Sequence, residues 1–377
     1  AITFPGGERA EIEYDEAGRM AAVTDTAGRR TAYAYDALHR PTKTTLPDGS
    51  VVELVWGADG NLAEQRYPLG QSFIFTYDKA GRLTSLKHPE GPLWAFEYDG
   101  VNRLTRETDA EGNAWTYTYT PSGNTASVAD PQGGTWSYGY DGNGKLKEAV
   151  DPLGRRAEFS HDGSGNLTKV KDTLGNATEF VYNKVGSLMK LTDALGGVST
   201  FERDKSYYPT AVVGALEERR TFKYDLNGRI VETVDPAGGK YSYVYENGRL
   251  KSVTDPLGGV KSYAYSDFGE VAAITDPLGK ITSYAYDGMG RLKSVSDPAG
   301  TRSFDYDAVG RVIAQPEPGG GRTEFAYDRN NQVVSREEAD HSITRFEYDG
   351  NGNRTKVLDA QGNATAFFYD ELNRLVR

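Results

Sequence analysis

The chain has 377 residues, 54 acidic and 43 basic side chains and a net charge of −11. Interspersed charge of that sign argues for solubility and against a nucleic-acid partner. Absence of cysteine removes disulfides and thiol chemistry, and no apolar run is long enough to span a bilayer.

Length alone allows two or three domains, but an internal period overrides that prior. The first copy reads EIEYDEAGRM and ends a strand on Tyr14. Later copies end on Tyr35, Trp56, Tyr77, Tyr98, Tyr119, Tyr140, His161, Tyr182, Arg203, Tyr224, Tyr245, Tyr265, Tyr286, Tyr306, Tyr327, Tyr348 and Tyr369. That makes 18 copies, 21 residues apart in all but two intervals of 20. The residue two before each of these is apolar or aromatic, from Ile12 and Tyr33 to Phe346 and Phe367, and the one between is usually small or polar. Such period-two alternation predicts a strand with one aromatic and one wet face. The two columns hold 32 of the 43 Phe, Trp and Tyr residues, a concentration that scattered core aromatics would not show.

Two turns punctuate each copy. Four residues after the key aromatic stands Gly in 12 copies, and Asn in three more, Asn102, Asn331 and Asn373. These residues accept the left-handed backbone that closes a tight hairpin loop. The second turn reads D-P-x-G in its clearest copies, as at Asp151–Gly154 and Asp276–Gly279, a type I turn signature. Each copy is therefore strand, turn, strand, turn. The array predicts about 36 short antiparallel strands and no long helix. A lone hairpin is barely stable in water, so residues 1–377 are expected to be a single array, in which each hairpin is stabilised by its neighbours.

Departures from the pattern are candidates for chemistry. Taken along the chain, His39 replaces the turn Gly and His88 the Asp of the second turn. Gly139 to Lys145 has the spacing of a phosphate loop, but Leu146 and a strand follow where Ser or Thr and a helix are required. His161 replaces the key Tyr. The stretch 203–220 is the most irregular: Tyr207, Tyr208 and Pro209 replace Gly-Arg-Leu, a change read as drift in preference to a kink or an inserted loop. One residue is lost in the shortened turn Glu246–Arg249 and one just after Gly300. His341 replaces the last Gly of a second turn. Asp349 to Asn353 opens like a calcium loop, but Arg354 stands where Gly is needed and Ala360 where Glu is needed.

Two columns need a bland account beside a functional one. The arginines Arg19, Arg82, Arg103, Arg229, Arg291, Arg311 and Arg374 suggest a polyanion stripe, yet an Asp stands four residues before each. A local pair, with the Arg lying on a neighbouring ring, explains them better. The aromatic columns could stack sugars, but dozens of open rings would aggregate, so most are expected to be covered by neighbours or by sheet closure. No catalytic, cofactor-binding or metal-ligating residue is assigned and no cofactor is expected.

YDxxGRL at this period, as in TYDKAGRL at Tyr77, KYDLNGRI at Tyr224 and FYDELNRL at Tyr369, resembles the tyrosine-aspartate (YD) repeats of the rearrangement-hotspot (Rhs) family, which also occur in insecticidal Tc toxins and teneurins. The resemblance covers essentially the whole chain, and the DPLG-like turns fit the bacterial members. It implies a continuous sheet spiralling into a hollow shell around a carboxy-terminal toxin domain, often in type VI secretion effectors carried by a spike protein. The family's self-cleaving aspartates lie in a segment that finds no counterpart here, so no residue is carried over.

The expected function is thus a structural wall without turnover. It would enclose a toxin polypeptide of the same precursor, with spike or adaptor proteins as further partners and delivery by a secretion system. No nucleic acid or membrane partner is expected of this segment. The stretch AITFPGGERA shows no signal-peptide pattern, and the chain reads as an excerpt or processed piece of a longer array. Rival readings are an adhesion or glycan-binding module and a hidden autoprotease at 203–220. For the architecture, a propeller would need nine blades, outside the usual four to eight.

Overall fold

The computed structural model describes residues 2–3, 9–91, 93–316 and 319–377. The amino-terminal stretch read above falls largely outside them. Alternation and turn chemistry act as expected: the described residues form 37 β-strands, and a 3-10 turn at Pro68–Gly70 is the one helical element among them. Every observed pairing is antiparallel and joins neighbours in the chain, as in Arg9–Tyr14 with Met20–Thr24 and Met20–Thr24 with Arg30–Tyr35.

The hairpins at the first turn share a feature that the residue pattern did not announce. At Tyr14 the register slips, with Glu13 opposite Ala22 but Tyr14 opposite Met20. The same bulge recurs at Tyr35, Tyr77, Tyr140, Tyr224, Tyr286 and Tyr348. A bulge bends its strand and tightens the twist, so each of these hairpins carries the same local bend.

Thirty strands form one sheet and seven another. The division falls at Phe304, between Gly300–Ser303 and Asp305–Tyr306, in the copy that lost a residue. There the second turn has shrunk until Asp297 pairs directly with Gly300. The break is one residue wide, and the Phe304 N–H still donates to the Lys293 carbonyl. The other deletion leaves a two-residue loop, Asn247 and Gly248, both at positive φ (49° and 81°). That is the turn whose twist suits a hairpin. The stretch 203–220 keeps the hairpin register, so its sequence departures are drift.

Burial shows how little core there is. In Ile281–Tyr286 the side chains alternate exposed and half-buried, with Thr282, Tyr284 and Tyr286 on the covered face. Among the described residues the fully buried apolar side chains are three alanines, Ala22, Ala211 and Ala314. The accessible surface is 22333 Å², against roughly 15,000 Å² for a compact protein of this mass. The aromatic rings cover one another along the columns but are not sealed on both sides, as a single-layered sheet requires.

The three alanines share a cause. Each sits mid-strand on the wet face, and an Arg of one flanking strand reaches over it to a carboxylate of the other: Arg30 to Glu13, Arg219 to Glu202 and Arg322 to Asp305. An alanine leaves room for the ion pair to cross.

Two compact units are distinguished. The first combines Ala1–Ala114 with Tyr263–Arg377, and the second is Trp115–Ser262. The second is an uninterrupted run of hairpins. In the first, two stretches far apart in the chain meet edge to edge.

Candidate functional site: the turn ladders and the seam

The first turn is built by its Asp. In Asp15–Arg19, carboxylate Oδ1 accepts the amides of Ala17 and Arg19, while Oδ2 accepts the Arg19 guanidinium at 2.7 Å. The arrangement repeats at Asp78–Arg82 and Asp287–Arg291. At Asp15, Asp36, Asp78, Asp99 and Asp225 the backbone amide of the paired Arg is the main influence and, with the guanidinium, holds the carboxyl below its ordinary range against the cost of desolvation.

The same Arg then links to the next hairpin. Arg19 lies 4.8 Å from the Tyr35 ring centre and donates to the Asp36 carbonyl. Arg82 does so with Tyr98 and Asp99, and Arg311 with Tyr327 and Asp328. The key Tyr reaches back in turn: the Tyr35 hydroxyl donates to the Met20 carbonyl at 2.8 Å and that of Tyr327 to Val312 at 2.7 Å. Desolvation pushes the Tyr327 and Tyr348 hydroxyls above their ordinary pKa. The Arg column is thus a ladder of local pairs on neighbouring rings, as its spacing suggested.

Drifted positions keep the ladder. Arg203, in a key aromatic position, points Nε at the Leu188 carbonyl (3.4 Å), the acceptor a Tyr would use. Tyr208, in the Arg column, stacks on Tyr224 at 5.0 Å between centroids.

The four histidines stay apart. His39 and His341 take left-handed backbone (φ 62° and 65°) in glycine positions. His341 bonds Glu337, which raises its pKa, and His88 packs edge-on against Phe73, its pKa lowered by burial. His161 ends Arg156–His161. Among the described residues no group of three potential ligands could hold a metal. Gly139 lies within a strand and Lys145 closes a turn, its amide on Asp141. In the calcium-like turn the Asp349 carboxylate is engaged within the turn, Oδ1 accepting the amides of Asn351 and Asn353 and Oδ2 the Asn353 side-chain amide, while Asn351 Oδ1 has no hydrogen-bond partner among the described residues.

What single-copy reading missed is the seam within the first unit. Second turns of Ala1–Ala114 lie against first turns of Tyr263–Arg377, residues about 240 positions apart. Arg29 pairs with Glu270 at 2.9 Å. Gln71, 3% exposed, donates to the Arg329 carbonyl and to Asn331 Oδ1. The Arg329 amide donates to Glu90, the Gly350 amide to Glu111, and Asn351 to Asp109. Two glycines are explained by closeness: a Cβ on Gly290 would strike the Arg29 guanidinium, and one on Gly350 the Glu111 carboxylate. A signal was present, since several of these positions break their columns: Glu270 stands in the Arg column and Gln71 closes a turn that has lost its Asp.

A Teneurin YD-shell family model matches residues 71–162 and 155–317, well over half of the chain. The chain belongs to the YD-shell family. An RHS Repeat model matches residues 14–51, 327–364 and 348–377 of this YD-shell chain. No curated protein matches it. Among solved structures it is similar to TcdB2-TccC3 without its hypervariable C-terminal region, at 15% identity and a TM-score of 0.84, covering 97% of this chain and 24% of that one. It is also similar to the Photorhabdus luminescens Tc holotoxin pore, at 14% identity and a TM-score of 0.60, covering 99% of this chain and 22% of that one. These likenesses establish the shared all-β hairpin-repeat fold. The chain spans about a quarter of the length of the structures it resembles.

Proposed function

We propose that residues 1–377 act as one stretch of wall in a container that encloses and sequesters a toxin polypeptide of the same precursor until delivery. The observation that carries this is the seam: two edges of the hairpin array lock through complementary side chains, which is how a sheet one layer thick becomes a surface without gaps. The aromatic face, half-buried and uniform, suits lining or packing better than turnover. No catalytic, cofactor or metal residue is assigned, and the wall itself is non-enzymatic. The similarity to TcdB2-TccC3, a protein with a hypervariable C-terminal region although the matched structure is without it, supports the reading. Secretion or injection of the whole protein, with spike or adaptor proteins as further partners, belongs to the same proposal.

The test is protease protection. In the intact precursor the toxin segment is expected to resist protease at doses that degrade the isolated toxin. Equal digestion of the two would end the proposal.

A second reading, glycan binding, is favoured by one observation. Trp115 and Trp136 lie with centroids 6.3 Å apart and planes 26° apart on the aromatic face of the second unit. Glycan-array binding lost on Trp136→Ala would support it, and no binding by the wild-type chain would remove it.

A further inference from the structure

A seam between two repeated edges has a choice of partners. Each edge presents a turn about every 21 residues, so a shift by one repeat sets turn against turn again. Some contacts would not feel the shift. The Arg329 amide on Glu90 and the Gly350 amide on Glu111 join equivalent positions of successive copies and are interchangeable in kind. An array of this sort has a defined register only where particular side chains specify it.

One first turn, residues 328–332, is held from both sides in a way that is not interchangeable. From the second turn 67–71, Gln71 Nε2 donates to the Arg329 carbonyl at 2.9 Å and to Asn331 Oδ1 at 2.6 Å. From the next second turn, the Glu90 amide donates to Asn330 Oδ1 at 3.1 Å, and the Arg329 amide returns a bond to the Glu90 carboxylate. The Glu90 amide is available because His88 stands where the Asp of a second turn belongs. At Asp109 and Asp151 that carboxylate accepts the equivalent amide, of Glu111 and of Leu153. Asn331 takes left-handed backbone (φ 68°) in a position that is usually glycine, and its Oδ1 also accepts the Arg311 guanidinium. The seam contact is thereby tied to the ladder of its own edge.

Neither one-repeat shift reproduces this grip. Among the first turns of Tyr263–Arg377, 328–332 alone carries Asn at both its third and fourth positions; its neighbours have Val309 and Gly310, or Asn351 and Gly352. On the other edge the residues equivalent to Gln71 are Ser50, with a shorter side chain, and Pro92, with no side-chain donor. Those equivalent to Glu90 are Leu69, with no carboxylate, and Glu111, whose amide Asp109 already holds. Gln71 is 3% exposed, so a shifted seam leaves one N–H of a buried amide without an acceptor, the costly way to lose a hydrogen bond. In one direction the shift also sets Arg29, the partner of Glu270, against Arg291. We propose that Gln71, Glu90 and the doublet Asn330–Asn331 are the register lock of the seam: they determine which repeats meet when the two edges close. A buried polar residue that fixes the register of a coiled coil is the same device. The inference concerns how the seam closes and does not depend on the proposed container role.

The chain has no cysteine, so introduced thiols report register without interference. A Cβ on Gly350 lies 3.4 Å from that of Ala110, near the mean of about 3.8 Å in a disulfide. The pair Ala110→Cys/Gly350→Cys therefore reports the observed register. Ala110→Cys/Arg329→Cys and Ala110→Cys/Glu371→Cys report shifts of one repeat in either direction. Each pair is equilibrated with glutathione in dilute protein, and the disulfide yield is read by peptide mapping. With the lock intact, the observed-register pair should close at least tenfold more favourably than either shifted pair. Gln71→Met/Asn330→Ala/Asn331→Gly removes the lock, keeps the bulk at 71 and restores the usual glycine at 331. It should cut that preference roughly tenfold while the far-UV spectrum of the folded chain is retained. Moving the doublet by one repeat, with Val309→Asn/Gly310→Asn/Asn330→Val/Asn331→Gly, should make the Arg329→Cys pair the favoured one. An unchanged preference without the lock overturns the inference, as do shifted pairs that close as well as the observed one with the lock intact. So does a doublet that moves without moving the register. A lock variant that no longer folds counts against it too, since these residues would then build the hairpins instead of aligning them.

Discussion

The docked second turns of the first unit and the open ones of the second share a backbone, and their contrast is sharpest at the tip side chain. Asp109–Asn113 and Asp151–Arg155 have the same carboxylate cap on the same two amides. Yet Glu111 at one tip meets the Gly350 amide, while Leu153 at the other stands 77% exposed. The repeat therefore separates two tasks. Asp, the left-handed residue and the key aromatic fold the hairpin, and the tip residue decides what the hairpin touches. Substitutions at the first set should act everywhere alike, and substitutions at the tips should act only where an edge is docked.

The largest local effect is expected at the seam's ion pair. Arg29 and Glu270 are each about four-fifths covered, and Glu270→Arg would set two guanidiniums face to face. A loss of about 1–3 kcal/mol follows, between the exposed and the buried limits for ion pairs. Urea denaturation should register it, and faster amide exchange should be confined to Asp25–Arg29 and its facing turn. Exchange that accelerates uniformly along the array would mean that the seam is not a separate element.

Acid should erase the contrast, because the caps are common to both regions. Asp15, Asp36, Asp78, Asp99 and Asp225 have carboxyls held below their ordinary values, chiefly by the paired Arg amide. A depressed folded pKa contributes stability that is complete above the unfolded value, about 3.9 for Asp, and is lost as pH falls toward the folded one. The urea midpoint should hold level from pH 7 to 5 and drop below pH 4. Tyrosines work in the opposite sense. Desolvation raises Tyr327 and Tyr348, so their contribution is complete below about pH 10 and is lost above it as the hydroxyl donor ionises.

Glycines offer a sharper pair. Gly350 and Gly142 occupy the same turn position, neither at positive φ. A Cβ on Gly350 would meet the Glu111 carboxylate, whereas a Cβ on Gly142 would meet nothing within 4 Å. Gly350→Ala should cost about 1 kcal/mol through the displaced hydrogen bond. Gly142→Ala should stabilise by about 0.4–1 kcal/mol by restricting the unfolded chain. Equal shifts in melting temperature would deny the seam its role.

These comparisons mark what could be read from residues alone. The period, the strands, the capped turns, the left-handed backbone at His39 and His341 and the stacking of Arg on a neighbouring ring all follow from relations within about one repeat, and a repeated sequence states such relations many times. The seam depends on residues about 240 apart. Alternation names the face a side chain takes but not which turn will meet which, so Glu270 and Gln71 break their columns without showing what they meet. The bulge was hidden for a different reason. It moves a backbone register without demanding a special residue, and Tyr14, Tyr35 and Tyr77 look the same whether or not the ladder slips beside them. Likewise Ala22, Ala211 and Ala314 lie in a wet column, and their burial comes from ion pairs that span three strands.

The smallest folding effect is expected at the open edge. Leu195 is 97% exposed, so Leu195→Ser removes almost no contact within the chain, and its effect on unfolding should stay within about 0.5 kcal/mol. Serine at the docked tip Glu111 removes a carboxylate that accepts a backbone amide, and should cost about 1–2 kcal/mol. The two substitutions alter equivalent positions of equivalent turns, so the repeat's own energetics cancel between them. What remains is the worth of a partner edge, present at one tip and absent at the other. If Leu195→Ser proved as costly as Glu111→Ser, the tip would be part of the folding machinery, and the division between residues that build a hairpin and residues that address it would fail.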